Sequence, residues 1–157
     1  MKGVIGEVKL NQGFKSKIVI LIFRFSGLYN KNKLIGFPFF LMNKLINELV
    51  FCVEIPTKTK IGYGLRIFHP HAIVINENVT IGENCIIRQG VTIGNTILRD
   101  GTESKSPIVG SDVEFGANSL VIGNVTIGDR CRIGAGAVVT KSLKADTTVV
   151  SYGFRQL

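Results

Sequence analysis

A six-residue repeat of small and aliphatic residues runs through most of this chain and restricts the folds that it can adopt. The repeat forms two series, at positions 55, 61, 67, 73, 79, 85 and 91 and at positions 113, 119, 125, 131, 137 and 143. Glycine follows Ile or Val seven times between residues 61 and 134, where tight corners need a residue without Cβ. A fixed period of this kind predicts a parallel β-helix in which three strands complete each coil.

The register of this repeat breaks between Val91 and Val113. The interval between these two positions is four residues longer than one coil of three six-residue strands requires. We expect the additional residues within the polar stretch 97–107, which would leave the β-helix as a loop. Loops that leave a regular scaffold are common places for binding and catalytic residues.

The residues before the repeat are predicted to be helical. Apolar side chains fall at helical spacing over residues 14–29, and a second helix is predicted over residues 38–51 with Pro38 in its first turn. Neither apolar run approaches the roughly 20 residues that a membrane-spanning helix needs. We expect the helices to cover one end of the β-helix or to pack on another subunit. The predicted organisation is a helical segment at 1–52, a β-helix at 53–143 and a tail at 144–157.

The net charge of +8 is concentrated in the first third of the chain. Residues 1–50 contain eight Lys or Arg and two Glu, whereas residues 51–157 contain eleven Lys or Arg and nine Asp or Glu. Such a basic segment either forms a solvated face or attracts the anionic inner face of a membrane. Nucleic acid is not an expected partner, because no nucleic-acid-binding motif accompanies the charge. Cys85 and Cys131 occupy the aliphatic slot, so we expect buried free thiols and a reducing cytoplasmic location.

The residues inside the repeat resemble a known family. The similarity is carried by the run from Glu54 to His69, by Ile73-Val74-Ile75-Asn76, and by Gln89-Gly90-Val91-Thr92-Ile93-Gly94. It is a resemblance to the hexapeptide-repeat acyltransferases, and among them to the serine O-acetyltransferase-like branch, which also holds capsule and exopolysaccharide O-acetyltransferases. It implies a mainly β fold, a left-handed parallel β-helix preceded here by a short α-helical segment. It further implies homotrimers that bind acetyl-CoA in a cleft between adjacent β-helices.

The resemblance assigns roles to individual positions. His69 matches the general base, and Glu54, which precedes it by a little less than one coil, matches the carboxylate that pairs with it. An imidazole can take the proton of a hydroxyl that attacks a thioester, and a carboxylate stabilises the resulting imidazolium. Cofactor contacts are expected at Gly94, Lys105, Gly116, Ala117, Gly134, Ala135 and Lys141, and acceptor contacts at Phe68, Gln89 and Ser106. No metal is expected, because zinc-binding members use three histidines and this chain has two.

Two departures from the family pattern bear on the acceptor. Phe68 stands where serine acetyltransferases carry Asp before the catalytic His, and Lys105-Ser106 stand where their loop carries Arg-His. Those polar groups help to hold the amino acid, so their loss points away from L-serine. The leading hypothesis is acetylation of a sugar hydroxyl in a capsule, exopolysaccharide or O-antigen. The alternatives are serine acetylation for cysteine biosynthesis and a non-catalytic β-helix subunit that assembles a partner enzyme.

Overall fold

Pairs of inward-facing side chains, two residues apart, build the body of the molecule. In the computed structural model, which describes residues 3–151, each pair flanks one outward-facing residue, as Val53 and Ile55 flank Glu54. The chain turns a corner after each pair, and three all-parallel sheets result. The strands are β1 (Val53–Glu54), β2 (Lys60–Ile61), β3 (Arg66–Phe68), β4 (Ile73–Ile75), β5 (Thr80–Ile81), β6 (Ile86–Arg88), β7 (Thr92–Gly94), β8 (Ile108–Val109), β9 (Glu114–Phe115), β10 (Leu120–Ile122), β11 (Thr126–Ile127), β12 (Arg132–Ile133), β13 (Val138–Val139) and β14 (Thr148–Val149).

The strand order confirms the predicted parallel β-helix. The first sheet has the order β1-β4-β7-β10-β13, the second β11-β8-β5-β2 and the third β14-β12-β9-β6-β3. The β-helix continues beyond residue 143, where the prediction ended it, because β14 pairs with β12. The predicted tail is therefore wrong in its first part, and residues 152–157 lie outside the described residues.

The core is a column of aliphatic side chains enclosed by the three sheets. Cys85 and Cys131 are fully buried in it as free thiols, which confirms their predicted placement. Burial raises the pKa of the Cys85 thiol to about 11, so this thiol stays protonated at neutral pH. Its sulfur lies 3.4 Å from the Gly110 carbonyl oxygen, to which the thiol donates.

The coils differ in length, and the register predicted from the sequence is wrong in three places. The pairing of Val74 with Thr92 defines a coil of regular length, with three six-residue strands. Val53 pairs with Ile73, so the first coil is two residues longer than the regular one. Thr92 pairs with Leu120, so that coil is ten residues longer. The β-helix thus contains an insertion of two near positions 69–72 and one of ten near 97–106. Arg132 pairs with Thr148, so the last coil is two residues shorter than the regular one. The sequence predicted only a single insertion of four.

The helical unit comprises α1 (Val4–Leu10), α2 (Phe14–Ser26), a 3₁₀ turn (Gly27–Asn30), α3 (Lys33–Met42) and a π-helical segment (Asn43–Val50). Helix α2 confirms the first predicted helix, whereas α1 was not predicted. The second predicted helix begins five residues too late. The side chain of Asn32 caps α3 by accepting from the amides of Leu34 and Ile35, which places Pro38 inside the helix. No helix in residues 3–151 is both long and apolar enough to cross a bilayer.

The helical unit covers the open end of the β-helix, which is one of the two arrangements predicted from the sequence. Val19, Ile20 and Phe23 extend the aliphatic core beyond the first coil. Polar side chains then satisfy the unpaired backbone of that coil. The Glu7 carboxylate accepts from the amides of Gly64 and Leu65, both at 2.9 Å.

Arg24 completes this polar cap. Its guanidinium donates to both oxygens of Glu7, at 2.6 Å each, and to the carbonyl oxygens of Ile61 and Gly62, at 2.8 and 2.6 Å. The Glu7 side chain is only 1% exposed. Because a buried carboxylate needs a partner, this ion pair fixes the helical unit on the first coil.

We expect Arg24→Met to lower the free energy of unfolding by about 3 kcal/mol, because it leaves Glu7 buried and unpaired. Urea titration monitored by circular dichroism measures this. The matched control is Lys58→Met, which breaks an exposed pair with Glu77 and should cost less than about 1 kcal/mol. Equal stability of the two variants would contradict the capping role.

Candidate active site

His69 lies within the two-residue insertion, at the corner between the third and the first sheet. It directly follows β3, its side chain is exposed, and its φ of 53° is in the left-handed region. The described chain has other non-glycine residues with positive φ, and each directly precedes the first residue of an inward-facing pair. They therefore lie at the corners that recur in every coil. His69 is the exception. A strained residue outside the regular pattern is a feature often found at functional sites.

The register stacks further candidate residues in columns beside His69. Phe68 pairs with Arg88, and the same column continues through Gly116 and Gly134. The next column contains His69, Gln89, Ala117 and Ala135. The structure therefore brings seven of the twelve candidate residues to one border of the β-helix: Phe68, His69, Gln89, Gly116, Ala117, Gly134 and Ala135.

The small residues in these columns have a structural reason of their own. A Cβ on Gly116 would collide with the backbone of Ala135, and a Cβ on Gly134 would lie 3.0 Å from the Val149 carbonyl oxygen. Close stacking of the coils thus requires glycine at these corners. Their predicted contact with CoA is additional to this requirement and stays a prediction.

A ladder of ionic contacts runs beside His69 and was not anticipated from the sequence. The Arg88 guanidinium lies 5.2 Å from the centroid of the Phe68 ring. Arg88 also donates to Glu114 at 3.1 Å, and Arg132 donates to the other Glu114 oxygen at 2.6 Å. Phe68, which stands where the resemblance to serine acetyltransferases implies Asp, is therefore covered by a cation. The contact between Phe68 and Arg88 can be predicted from the sequence only if the first coil is known to be two residues longer. A coil of regular length would align Phe68 with Ile86 instead.

Glu54 lies on the outward face of the first sheet, on β1. The longer first coil pairs it with Val74, five residues beyond His69. Among the described residues, no hydrogen bond joins the Glu54 carboxylate to the His69 imidazole, and both side chains are exposed. The predicted pairing stays a prediction, since catalytic hydrogen bonds often form only in the substrate complex.

A cavity of about 540 Å³ opens on this sheet face. Its lining combines ionic, amide and hydroxyl groups with a few aliphatic ones, and Glu54 and Gly94 both contribute to it. Five polar side chains not singled out from the sequence also line it, namely Lys44, Asn76, Glu77, Thr92 and Asn95. The cavity is thus rich in groups that can bind hydroxyls.

A chain of hydrogen bonds ties the ten-residue insertion to this cavity. Ser106 donates to the Asn76 side-chain oxygen at 3.0 Å, and the Asn76 amide donates to Asn95 at 3.2 Å. Asn95 in turn donates to Glu103 at 2.7 Å. The hydroxyl of Ser106, a predicted acceptor contact, therefore anchors the loop in the isolated chain.

The remaining candidates lie at the border of the first sheet where its strands end. Lys105 lines a second cavity of about 640 Å³ beside the loop, together with Leu98 and Thr140. Lys141 lies on a smaller one of about 170 Å³. The candidate residues of one chain thus form two groups, one around His69 where the strands of the first sheet begin and one around the loop where they end.

Comparison with known proteins identifies the repeat. A model described as bacterial transferase hexapeptide (six repeats) matches residues 106–141, and one described as hexapeptide repeat of succinyl-transferase matches residues 72–98. The putative colanic acid biosynthesis acetyltransferase WcaB of Escherichia coli (strain K12) is 39% identical over 119 residues, which cover 76% of this chain and 72% of WcaB.

Serine acetyltransferases match a shorter share of their own length. The enzyme of Synechococcus elongatus is 39% identical over 105 residues, which cover 67% of this chain and 42% of that enzyme. A solved serine acetyltransferase in complex with CoA superposes with a TM-score of 0.73 at 28% identity, covering 87% of this chain and 54% of its own. The chain spans about half the length of these serine acetyltransferases.

Deleting residues 97–106 would leave a coil of regular length, because the insertion has ten residues. We expect the β-helix to fold with a similar melting temperature and to lose the binding surface of the loop. Circular dichroism and thermal unfolding measure this. Deleting residues 97–107 is the matched control, since it also removes the buried Pro107, whose carbonyl oxygen accepts from the Thr80 amide, and should lower the melting temperature. Unfolding of the ten-residue deletion would contradict the assigned register.

The strained backbone at His69 also has a measurable consequence. His69→Gly should leave the free energy of unfolding unchanged or raise it, whereas His69→Val should lower it by about 1–2 kcal/mol. The control is Gln89→Val at the equivalent corner of the next coil, where φ is not positive and the cost should be smaller. If both valine variants lost equal stability, His69 would not be strained.

Proposed function

The chain belongs to the hexapeptide-repeat acyltransferases, and we propose that it transfers acetyl from acetyl-CoA to a sugar hydroxyl of a bacterial surface polysaccharide. Such a polysaccharide would be a capsule, an exopolysaccharide or an O-antigen. The observation that carries this proposal is the His69 corner. It keeps an exposed imidazole at a strained position, but Phe68 and Arg88 occupy the place of the carboxylate expected beside it in a serine acetyltransferase.

In the proposed reaction His69 acts as the general base. Its imidazole takes the proton of the acceptor hydroxyl while the oxygen attacks the thioester carbonyl carbon. A C–O bond forms, the C–S bond breaks, and the CoA sulfur leaves with the proton held by His69. Glu54 would fix the imidazole orientation and stabilise the imidazolium once both substrates are bound. Lys105 and Lys141 would meet the CoA phosphates, while Gly94, Gly116, Ala117, Gly134 and Ala135 would line its cleft.

We further propose that the working unit is a homotrimer with its sites between chains. The support is the separation of the candidate residues into two groups at opposite borders of the first sheet. A cyclic trimer places one border of each chain against the other border of its neighbour. His69 of one chain would then face the loop 97–107 of the next, with CoA between them.

The acceptor is proposed to be a sugar rather than an amino acid. The 540 Å³ cavity presents Asn76, Asn95, Thr92 and Glu54, which offer both donors and acceptors to a ligand with many hydroxyls. The similarity to a colanic acid acetyltransferase over most of its length supports the same class of acceptor. Phe68 and Gln89 would contact the sugar from the His69 side, and Ser106 from the loop side.

Serine acetylation remains the second candidate, because serine acetyltransferases are as similar over the repeat. That reaction would use the same base and donor, so the acceptor distinguishes the two. The free buried thiols Cys85 and Cys131 support a reducing, cytoplasmic location in either case.

We expect His69→Asn to lower kcat for acetyl transfer by about 10²- to 10⁴-fold, since it removes the base. A thiol-release assay with acetyl-CoA and a de-O-acetylated polysaccharide fragment measures this. The matched control is His71→Asn, whose side chain is also exposed and should leave kcat unchanged.

The same assay separates the alternatives. Turnover on the glycan above that on L-serine supports the proposal, whereas efficient turnover on L-serine alone replaces it with serine acetylation. Failure to bind CoA in calorimetry would indicate a non-catalytic subunit. Turnover that survives His69→Asn would remove the proposed base.

A further inference from the structure

The helical unit exposes more apolar surface than a monomeric domain usually does. Between Leu34 and Val50, eight large apolar side chains are each at least 40% exposed: Leu34, Ile35, Phe37, Leu41, Met42, Leu45, Leu49 and Val50. Leu34 is 87% exposed and Leu49 is 73% exposed. A contiguous patch of this size on a soluble protein usually marks an interaction site.

These side chains form one continuous stripe. Leu34, Leu41 and Leu45 recur at the spacing of a single helical face along α3 and the π-helical segment. Helix α2 adds further exposed apolar side chains, and its Phe25 ring stacks on the half-buried Phe39 ring of α3 with centroids 5.2 Å apart. Phe14 at the start of α2 is 79% exposed. We call this surface, made of the exposed apolar residues of α2, α3 and the π-helical segment, the apolar stripe.

The same unit carries cations without acidic partners. The two glutamates of the helical unit each form an ion pair. Glu7 is buried against Arg24, and the Glu48 carboxylate lies 2.8 Å from the Lys44 ammonium group. The other lysines of residues 3–50 are exposed and form no ion pair there: Lys9, Lys15, Lys17, Lys31 and Lys33. Lys31 and Lys33 flank the cap of α3 directly before Leu34.

This charge decides between the occupants that could cover the stripe. A second copy in a two-fold contact would bring an equally cationic surface against this one, and like charges across an interface are unfavourable. An anionic bilayer provides apolar volume for the stripe and phosphates for the lysines. Amphipathic helices with this division lie in the plane of the membrane interface.

We propose that the helical unit docks on the surface of an anionic membrane. Leu34, Phe37 and Leu41 enter the boundary between headgroups and acyl chains, and the lysines contact the lipid phosphates. The β-helix, whose open end the unit covers, then stands on the membrane with the His69 corner above it. Membrane docking of this kind does not depend on which acceptor the chain acetylates.

Co-sedimentation of the full chain with lipid vesicles tests this docking. We expect binding to vesicles of phosphatidylcholine with phosphatidylglycerol, weaker binding as salt is added, and little binding to phosphatidylcholine alone. The double variant Leu34→Glu with Phe37→Glu should weaken binding about tenfold or more. Its matched control is Ile108→Glu with Val138→Glu, which adds the same two charges at side chains of the β-helix that are 56% and 61% exposed.

A charge variant keeps the test independent of the apolar substitutions. Lys31→Gln with Lys33→Gln should reduce binding to the anionic vesicles, whereas Lys141→Gln with Lys144→Gln should not. The proposal is overturned if the wild-type chain does not bind anionic vesicles, or if the Leu34 and Ile108 variants bind equally. It is also overturned if analytical ultracentrifugation shows a stable oligomer that the Leu34 and Phe37 variant dissociates.

Discussion

The stacking register of the coils is the constraint on which the rest of this structure depends. Each strand places two side chains in the core, so a coil can gain residues only where the chain turns between strands. The β-helix uses this freedom twice, with two residues at the His69 corner and ten in the loop. Both insertions border the first sheet, at its two opposite sides. The two insertions are therefore the places where most of the candidate catalytic and acceptor-binding residues lie.

The same register explains what the sequence could and could not predict. The hydrophobic period alone identified the β-helix, because it extends over most of the chain. It missed the insertion at His69, because both positions of the buried pairs on either side of it, Leu65 with Ile67 and Ile73 with Ile75, are aliphatic. Ile67 ends one pair and Ile73 begins the next, so the six-residue spacing is kept although the coil has gained two residues. The loop was underestimated for a related reason, since only part of a coil lies between Val91 and Val113. Contacts that depend on the register, such as Arg88 over Phe68, were consequently out of reach.

The helical unit shows a second limit of pattern-based prediction. Helix α1 was missed because its buried side carries Glu7, and Asn11 directly after it is also buried, instead of apolar residues. These side chains take the place of a neighbouring strand. The Asn11 side-chain amide donates to the Leu65 carbonyl oxygen and accepts from the Ile67 amide. One face of the unit thus satisfies backbone polar groups, while the exposed surface of residues 3–50 carries large apolar side chains and lysines that form no ion pair there. A unit that only closed the β-helix would not need such a surface.

We have proposed that catalysis combines His69 of one chain with the loop 97–107 of a neighbour. Subunit complementation tests it most directly. His69→Asn and the deletion of residues 97–106 are each expected to be inactive, and the two variants are co-expressed and purified as mixed oligomers. If the site lies between chains, about a quarter of the sites in a randomly mixed trimer regain both an intact His69 and an intact loop, so acetyl transfer returns. If activity stays absent from folded mixed oligomers, His69 and the loop do not act together across an interface, which would contradict a shared active site between chains.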